Sequence, residues 1–256
     1  MKIKILQLIE GAKKAEGLTV IIDVFRAFSL ASYAFNNGAE KIIPVGRLET
    51  AYALKEENED FILVGERKGK KLSGFDYGNS PAQVQGVDFS GRTLIHTTSA
   101  GTQGIVNAVK AEEIITGSFV NARAVASYIL QREPAVVSLV CMGLAGIEPT
   151  NEDILCAYYI KNLLLELSPA RDRITVDVDG EVAAIYRQFK GGEMPEEEEI
   201  REILKETSGK RFFDPANQDW SPVEDFNLCL QYNLFSFILK AMPYREGLHY
   251  LEKVNI

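Results

Sequence analysis

Histidine is nearly missing from this chain. His96 and His249 are the only two in 256 residues, which excludes a histidine-built metal site. Cysteine is scarce too. Cys141, Cys156 and Cys229 show no CxxC spacing, so they read as reduced thiols rather than a disulfide framework or zinc site. No apolar run approaches a membrane span, and the opening Met1-Lys-Ile-Lys-Ile-Leu lacks the long apolar core of a signal peptide. Cytoplasmic residence with no membrane partner is therefore the expectation. Positive charge is in deficit, with a net charge of −8, which argues against a nucleic-acid surface. Local arginines can still dominate a crevice. No repeat, low-complexity tract or flexible linker is visible. The 46% apolar and 25% charged fractions are ordinary for a soluble globular protein. The length suits one globular unit, 1–256, with 1–167 (bearing the motifs) and 168–256 as candidate sub-lobes.

What is present is a set of four polar islands, each at the end of a short apolar, β-branched run. They read Asp23-Val-Phe-Arg26-Ala-Phe-Ser29; Gly65-Glu66-Arg67 leading to Gly74-Phe-Asp76-Tyr-Gly78-Asn79-Ser80-Pro81; His96-Thr97-Thr98-Ser99-Ala-Gly101-Thr102; and Cys141-Met-Gly143-Leu-Ala-Gly146 leading to Glu152-Asp153. Strands are expected at 19–23, 41–45, 61–65, 93–97, 113–116 and 136–141, and helices at 27–37, 48–57, 102–110, 121–131 and 152–167. The alternation predicts an α/β fold: a mainly parallel or mixed sheet of βαβ units with helices on both faces, followed by a smaller C-terminal α+β portion. There, the acidic run Glu196–Glu199 reads as the solvated first turn of a helix, and 226–242 as a strand returning to the core. Ligands of such sheets bind beyond the carboxyl ends of the strands, so four islands imply one shared crevice. Carboxylates, arginines, hydroxyls and glycines suit an anionic, phosphorylated substrate held with a hard metal ion.

Several standard chemistries are excluded locally. Phe25 stands where a haloacid-dehalogenase phosphatase has its second acid. The Gly65–Lys71 stretch has the wrong spacing for a nucleotide P-loop, and Lys71 replaces its Ser/Thr. Thr97 stands where a nucleophile elbow around Ser99 needs glycine, and Ile147 where a Cys141-based tyrosine phosphatase needs arginine. Each motif also has a plainer explanation. Asp23 caps the helix that follows it, Ser99 caps another, Thr150 with Asp153 forms a capping box, and Glu66 and Asp76 pair with nearby lysines.

Taken in order, the islands resemble the 2-phosphosulfolactate phosphatase family. The likeness rests on Val20-Ile-Ile-Asp23-Val-Phe-Arg26-Ala27, the Glu66 and Asp76 motifs, Thr97–Thr102, Gly117-Ser118-Phe-Val-Asn121-Ala, and Cys141-Met-Gly143 through Glu152-Asp153 to Cys156-Ala157. It spans about 18–157. It implies a Mg²⁺-dependent phosphatase that converts 2-phospho-3-sulfolactate, an intermediate of coenzyme M synthesis, to 3-sulfolactate and phosphate. It also implies an α/β fold distinct from the common phosphatase superfamilies. One departure is visible: the family often reads Asp-Val-Leu-Arg-Ala-Thr-Ser, where this chain has Phe25 and Phe28.

The expected catalytic residues are Asp23, Glu66, Asp76 and Arg26. Mg²⁺ is expected on two or three of Asp23, Glu66, Asp76 and Asp153. Substrate is expected on Arg67, Asn79, Ser80, Thr97, Thr98, Ser99, Gly101, Thr102, Ser118, Asn121 and Gly143, with Arg26 and Arg67 clamping anionic oxygens. Ligand and general base stay unassigned among the carboxylates. The expected partner is a small anionic phosphorylated molecule, and a homo-oligomer is left open. Two other functions stay open: an isomerase or lyase of a small phosphorylated acid, and a non-catalytic protein that binds an anionic metabolite.

Overall fold

Short β-branched runs separated by apolar-striped segments fold as the alternation dictates. A computed structural model describes residues 1–245 and 247–256. The strands are β1 (Lys2–Gln7), β2 (Gly17–Ile22), β3 (Lys41–Pro44), β4 (Ile62–Arg67), β5 (Lys70–Lys71), β6 (Thr93–Thr97), β7 (Ala111–Gly117), β8 (Val136–Cys141), β9 (Thr175–Val178), β10 (Phe237–Pro243) and β11 (His249–Asn255). The helices are α1 (Leu8–Lys14), α2 (Ala27–Asn36), α3 (Leu48–Glu57), α4 (Pro81–Val84), α5 (Gly101–Asn107), α6 (Ala122–Arg132), α7 (Asn151–Leu167), α8 (Gly180–Tyr186), α9 (Glu197–Glu206) and α10 (Val223–Cys229). Every strand and helix expected before residue 168 is present within a few residues of its expected ends. The acidic run opens α9. The expected strand at 226–242 is corrected: its first part is α10, and pairing begins only at Phe237. The strand β1 was not anticipated, although Lys2 and Lys4 alternate with buried Ile3 and Ile5.

One mixed sheet holds all the strands, in the order β5-β4-β6-β3-β11-β10-β7-β2-β8-β1-β9. β7, β2, β8, β1 and β9 form one parallel half. β4, β6 and β3 form another, with β5 antiparallel at its edge. The antiparallel hairpin β10–β11 joins them, pairing β7 on one side and β3 on the other. Residues on both sides of Ser168 thus supply strands to the same sheet. Among the described residues no helix is long and apolar enough to cross a membrane.

Side-chain alternation splits the core into layers. Ile21 and Val140 of the first half, Ile42, Val64 and Leu94 of the second, and Leu239 and Leu251 of the hairpin share one cluster with Phe28, Leu30 and Phe35 of α2. That helix is buried from Ala27 to Phe35, as an all-round apolar helix must be. Burying a side chain such as Phe28 contributes about 1.5–3 kcal/mol. Helices α6 and α7 cover the outer face of the first half, and α3 that of the second.

The sheet must curl. β6 and β2 are five steps apart in the strand order, roughly 24 Å in a flat sheet. The Gly101 N–H, just beyond β6, nevertheless reaches the Asp23 carboxylate, just beyond β2, at 2.8 Å. The residues between Thr97 and Gly101 span at most about 14 Å. Curvature therefore brings the carboxyl ends of the two halves to one place.

Candidate active site

A cavity of about 470 Å³ lies at that place, beyond the ends of β2, β4, β6 and β8. Asp23, Glu66 and Glu152 bring carboxylates to its wall, and Arg26, Lys68 and Arg211 bring positive charge. Asn79, Thr98, Ser99 and Gly143 also line it.

Asp23 combines its two sequence readings. Its Oδ1 accepts the Ala27 N–H at 3.1 Å, capping α2, and its Oδ2 accepts from Gly101. Burial, reinforced by the negative charges of Glu152 and Glu66, pushes its pKa up to about 6 against the pull of those two N–H groups. Glu66 also organises backbone: Oε1 accepts the Ser99 N–H at 2.7 Å and Oε2 the Gly69 N–H at 2.6 Å. Glu152 differs from both. It is 5% exposed, and its Oε2 has no hydrogen-bond partner in the protein. Burial raises its pKa, with Ser208 and the Arg211 charge acting against that rise.

Protein acceptors fix both arginines. Arg26 donates through Nη1 to Asp225 at 2.6 Å and to the Trp220 carbonyl at 2.7 Å, and through Nη2 to the Gly69 carbonyl at 3.1 Å. Arg211 donates through Nη2 to the Phe25 carbonyl at 3.0 Å. In both, Nε is buried without a partner. Burial and, second, the Arg26 guanidinium lower the pKa of Arg211, while Glu152 and Asp23 raise it. The four groups therefore sense one another's charge.

The structure places several expected site residues away from the cavity. Asp76 is exposed, and its Oδ2 accepts the Leu63 N–H, in the first half of β4 rather than at its carboxyl end. Arg67 neighbours Glu66 on a strand, where successive side chains point to opposite faces. It donates to the carbonyls of Glu66 and Gly46 and to Thr97 Oγ1, and it does not line the cavity. Asp153 gives one oxygen to the Val24 N–H and the other to the Gly143 N–H, each at 2.8 Å. It ties the exits of β2 and β8 together from outside the cavity, while its helical neighbour Glu152 faces in. Ser80 is bound to Asp225, Thr97 to Arg67, and Thr102 exchanges bonds with Thr98, all behind the cavity wall. Ser118 and Asn121 close a 3₁₀ turn on each other after β7 and do not line the cavity. Asn79 does, with its Oδ1 3.3 Å from His96 Nε2.

Glu152, Ser208, Arg211 and Trp220 are lining residues that the sequence reading did not select. Glu152 was visible beside Asp153 in the Thr150–Asp153 motif. Arg211, in a 3₁₀ turn, and Trp220 lie between α9 and α10, with no local pattern to mark them.

Two glycines are dictated by close approach. A Cβ on Gly101 would stand 2.8 Å from Asp23 Oδ2 and 2.8 Å from Ala27 Cβ. Gly143 has φ +65°, and a Cβ there would stand 2.2 Å from the Glu148 carbonyl oxygen. Gly101→Ala is expected to destabilise the fold by about 1–3 kcal/mol, read as a lower Tm in thermal unfolding. An unchanged Tm would show that α5 can retreat from Asp23 freely.

Oxygen donors of this kind suit Mg²⁺. Among the described residues no group of three His, Cys, Asp or Glu is gathered to hold a metal unaided. Mg²⁺ does not require one, since it commonly binds through one or two carboxylates with waters and substrate oxygens. The unpartnered Oε2 of Glu152 meets that requirement.

Comparison with known proteins identifies the family. The family described as 2-phosphosulpholactate phosphatase matches residues 3–242. A Caldicellulosiruptor saccharolyticus protein named "Probable 2-phosphosulfolactate phosphatase" is 37% identical over 194 residues, covering 74% of this chain and 76% of its own. Proteins of the same name from Clostridium perfringens and Caldanaerobacter subterraneus subsp. tengcongensis are 30% and 33% identical, over 87% and 86% of this chain and 85% and 86% of their own. The residues that line the cavity from β2, β4, β6, β8 and the segment before α10 all fall inside the matched span. The chain belongs to the 2-phosphosulpholactate phosphatase family.

Proposed function

We propose that this protein hydrolyses 2-phospho-3-sulfolactate to 3-sulfolactate and inorganic phosphate, and that it uses Mg²⁺. The observation that carries the reading is a cavity in which carboxylates face two arginines whose Nε–H groups have no protein partner. Such donors are costly to leave unpaired, and an anion satisfies them. Arg26 and Arg211 come from distant parts of the chain, so one can hold the phosphoryl group and the other a second anionic group. Arg211 thus takes the place expected for Arg67.

Phosphoryl transfer asks for positioning and charge more than for covalent chemistry from the protein. The attacking water forms a bond to phosphorus and gives up a proton, the ester P–O bond breaks, and that proton is passed on to the leaving alkoxide. Asp23, with its pKa near 6, takes the water's proton. Glu152 would hold Mg²⁺ through its free Oε2. Bound there, the metal would supply positive charge to the phosphoryl oxygens. Glu66 keeps the Ser99 and Gly69 backbone in place around the cavity.

The test is phosphate release from 2-phospho-3-sulfolactate, phosphoglycolate-like acids and a neutral-tailed phosphomonoester, each with Mg²⁺ and with no second enzyme present. The acidic substrates should show kcat/KM about tenfold or more above the neutral one, the scale of one charge-assisted contact. No phosphate from any acid would sink the reading, and equal kcat/KM would remove the second anionic group.

A further inference from the structure

The α10 helix carries no residue that lines the cavity, yet its Asp225 bears directly on it. Asp225 has 0% exposure. Its Oδ1 accepts from Ser80 Oγ at 2.7 Å and from the Ala82 N–H at 2.9 Å, both at the start of α4. Its Oδ2 accepts from Arg26 Nη1. The Trp220 and Gly69 carbonyls take two further Nη bonds, so the guanidinium is held from three directions, and Nε is left without a protein partner.

We infer that Asp225 is a positioning residue: it fixes the Arg26 guanidinium so that its free donor serves the anion in the cavity. This rests on the anion-binding reading of Arg26 given above. A buried guanidinium that loses its carboxylate keeps an uncompensated charge. The other carboxylates on the cavity that Arg26 lines are Asp23, Glu66 and Glu152. Pairing with any of them would withdraw Arg26 from the anion and neutralise a group the reaction needs. Asp225 prevents this by satisfying Arg26 on the side away from the cavity. Ser80 and the start of α4 hold Asp225 itself, so the hydroxyl expected on the substrate acts two contacts away.

The experiment is a double-mutant cycle read on binding of inorganic phosphate to the full-length protein by calorimetry, with thermal unfolding alongside. The forms compared are wild type, Arg26→Ala, Asp225→Asn and the double variant. Asp225→Asn keeps the shape and removes the charge. Each single change should weaken phosphate binding by about tenfold or more, and the double variant should bind no more weakly than Arg26→Ala alone, because both remove one interaction. Asp225→Asn should also lower kcat on the preferred ester. A purely structural Asp225 would lower Tm while leaving phosphate affinity intact, or give losses that multiply in the double variant. Either result overturns the inference, as does a wild type that binds no phosphate. A wild type that binds phosphate but hydrolyses no ester counts against the proposed reaction and leaves the cycle as a test of Asp225. If Asp225→Asn does not fold, Ser80→Ala, which frees the carboxylate from α4, should still weaken phosphate binding by about threefold or more, and unchanged affinity there would overturn the inference.

Discussion

Asp23→Asn is expected to lower kcat by about 10²-fold or more, the scale of a lost general base. It should also erase the acid limb of the pH profile. In the wild type, kcat/KM should rise through pH 6 as the buried carboxyl ionises. The same shift acts on stability. Because its native pKa lies above the ordinary value of 3.8, folded Asp23 binds a proton between those limits more readily than the unfolded chain does. This group's contribution to stability therefore falls as pH rises from about 4 to 6, and its cost is fully present above 6. Asparagine removes that pH dependence. It also offers only one acceptor to the two N–H groups of Ala27 and Gly101, so one is left unsatisfied, at a cost of about 1–3 kcal/mol. Phosphate-release profiles and melts from pH 4 to 8 read both effects. Wild-type turnover with an unchanged acid limb would show that Asp23 only caps α2.

Exhaustive chelation is expected to abolish phosphate release, and Mg²⁺ to restore it. Glu152→Gln should shift the Mg²⁺ titration to about tenfold higher concentration or more, since a neutral amide is a poor ligand for a hard cation. The protein carries its own second readout. Its single tryptophan, Trp220, lines the cavity, so intrinsic fluorescence should report metal binding without turnover. Full activity after chelation would end the metal assignment. A Glu152→Gln protein that titrates like wild type would move the metal to another carboxylate.

The sequence made the strand-end half of the site readable for a local reason. A doubly buried strand is a β-branched run, and its carboxyl end is the next polar residue. That logic reached Asp23, Glu66, Ser99 and Gly143, which all line the cavity. It failed where the outcome depends on side-chain direction or on distant chain. Glu66 and Arg67 are adjacent, and the strand period sends one to the cavity and the other to Thr97. Glu152 and Asp153 are adjacent on a helix, and only one faces in. Asp76 belongs to a polar loop whose course along β4 no spacing encodes. Arg211, Trp220 and Asp225 come from irregular or short helical chain far from the motifs, and their roles arise from tertiary packing alone. The C-terminal hairpin was missed in part because His249–Asn255 alternates too weakly to compete with the apolar run at 226–242.

The placement of that hairpin has a kinetic consequence. Among the described residues, β10 and β11 are the strands that connect the β7 half to the β3 half. Until β10 and β11 dock, each half has an unpaired edge, and Asp23 with Glu152 belongs to a different half from Glu66 with Ser99. The pairings that close the gap join positions as distant as Leu251 and Ile42, and such high contact order makes closure slow. Secondary structure in either half can form early. The cavity needs both halves in place, so catalytic competence depends on that closure. Until then, the exposed edges at β3 and β7 are its main liability toward association.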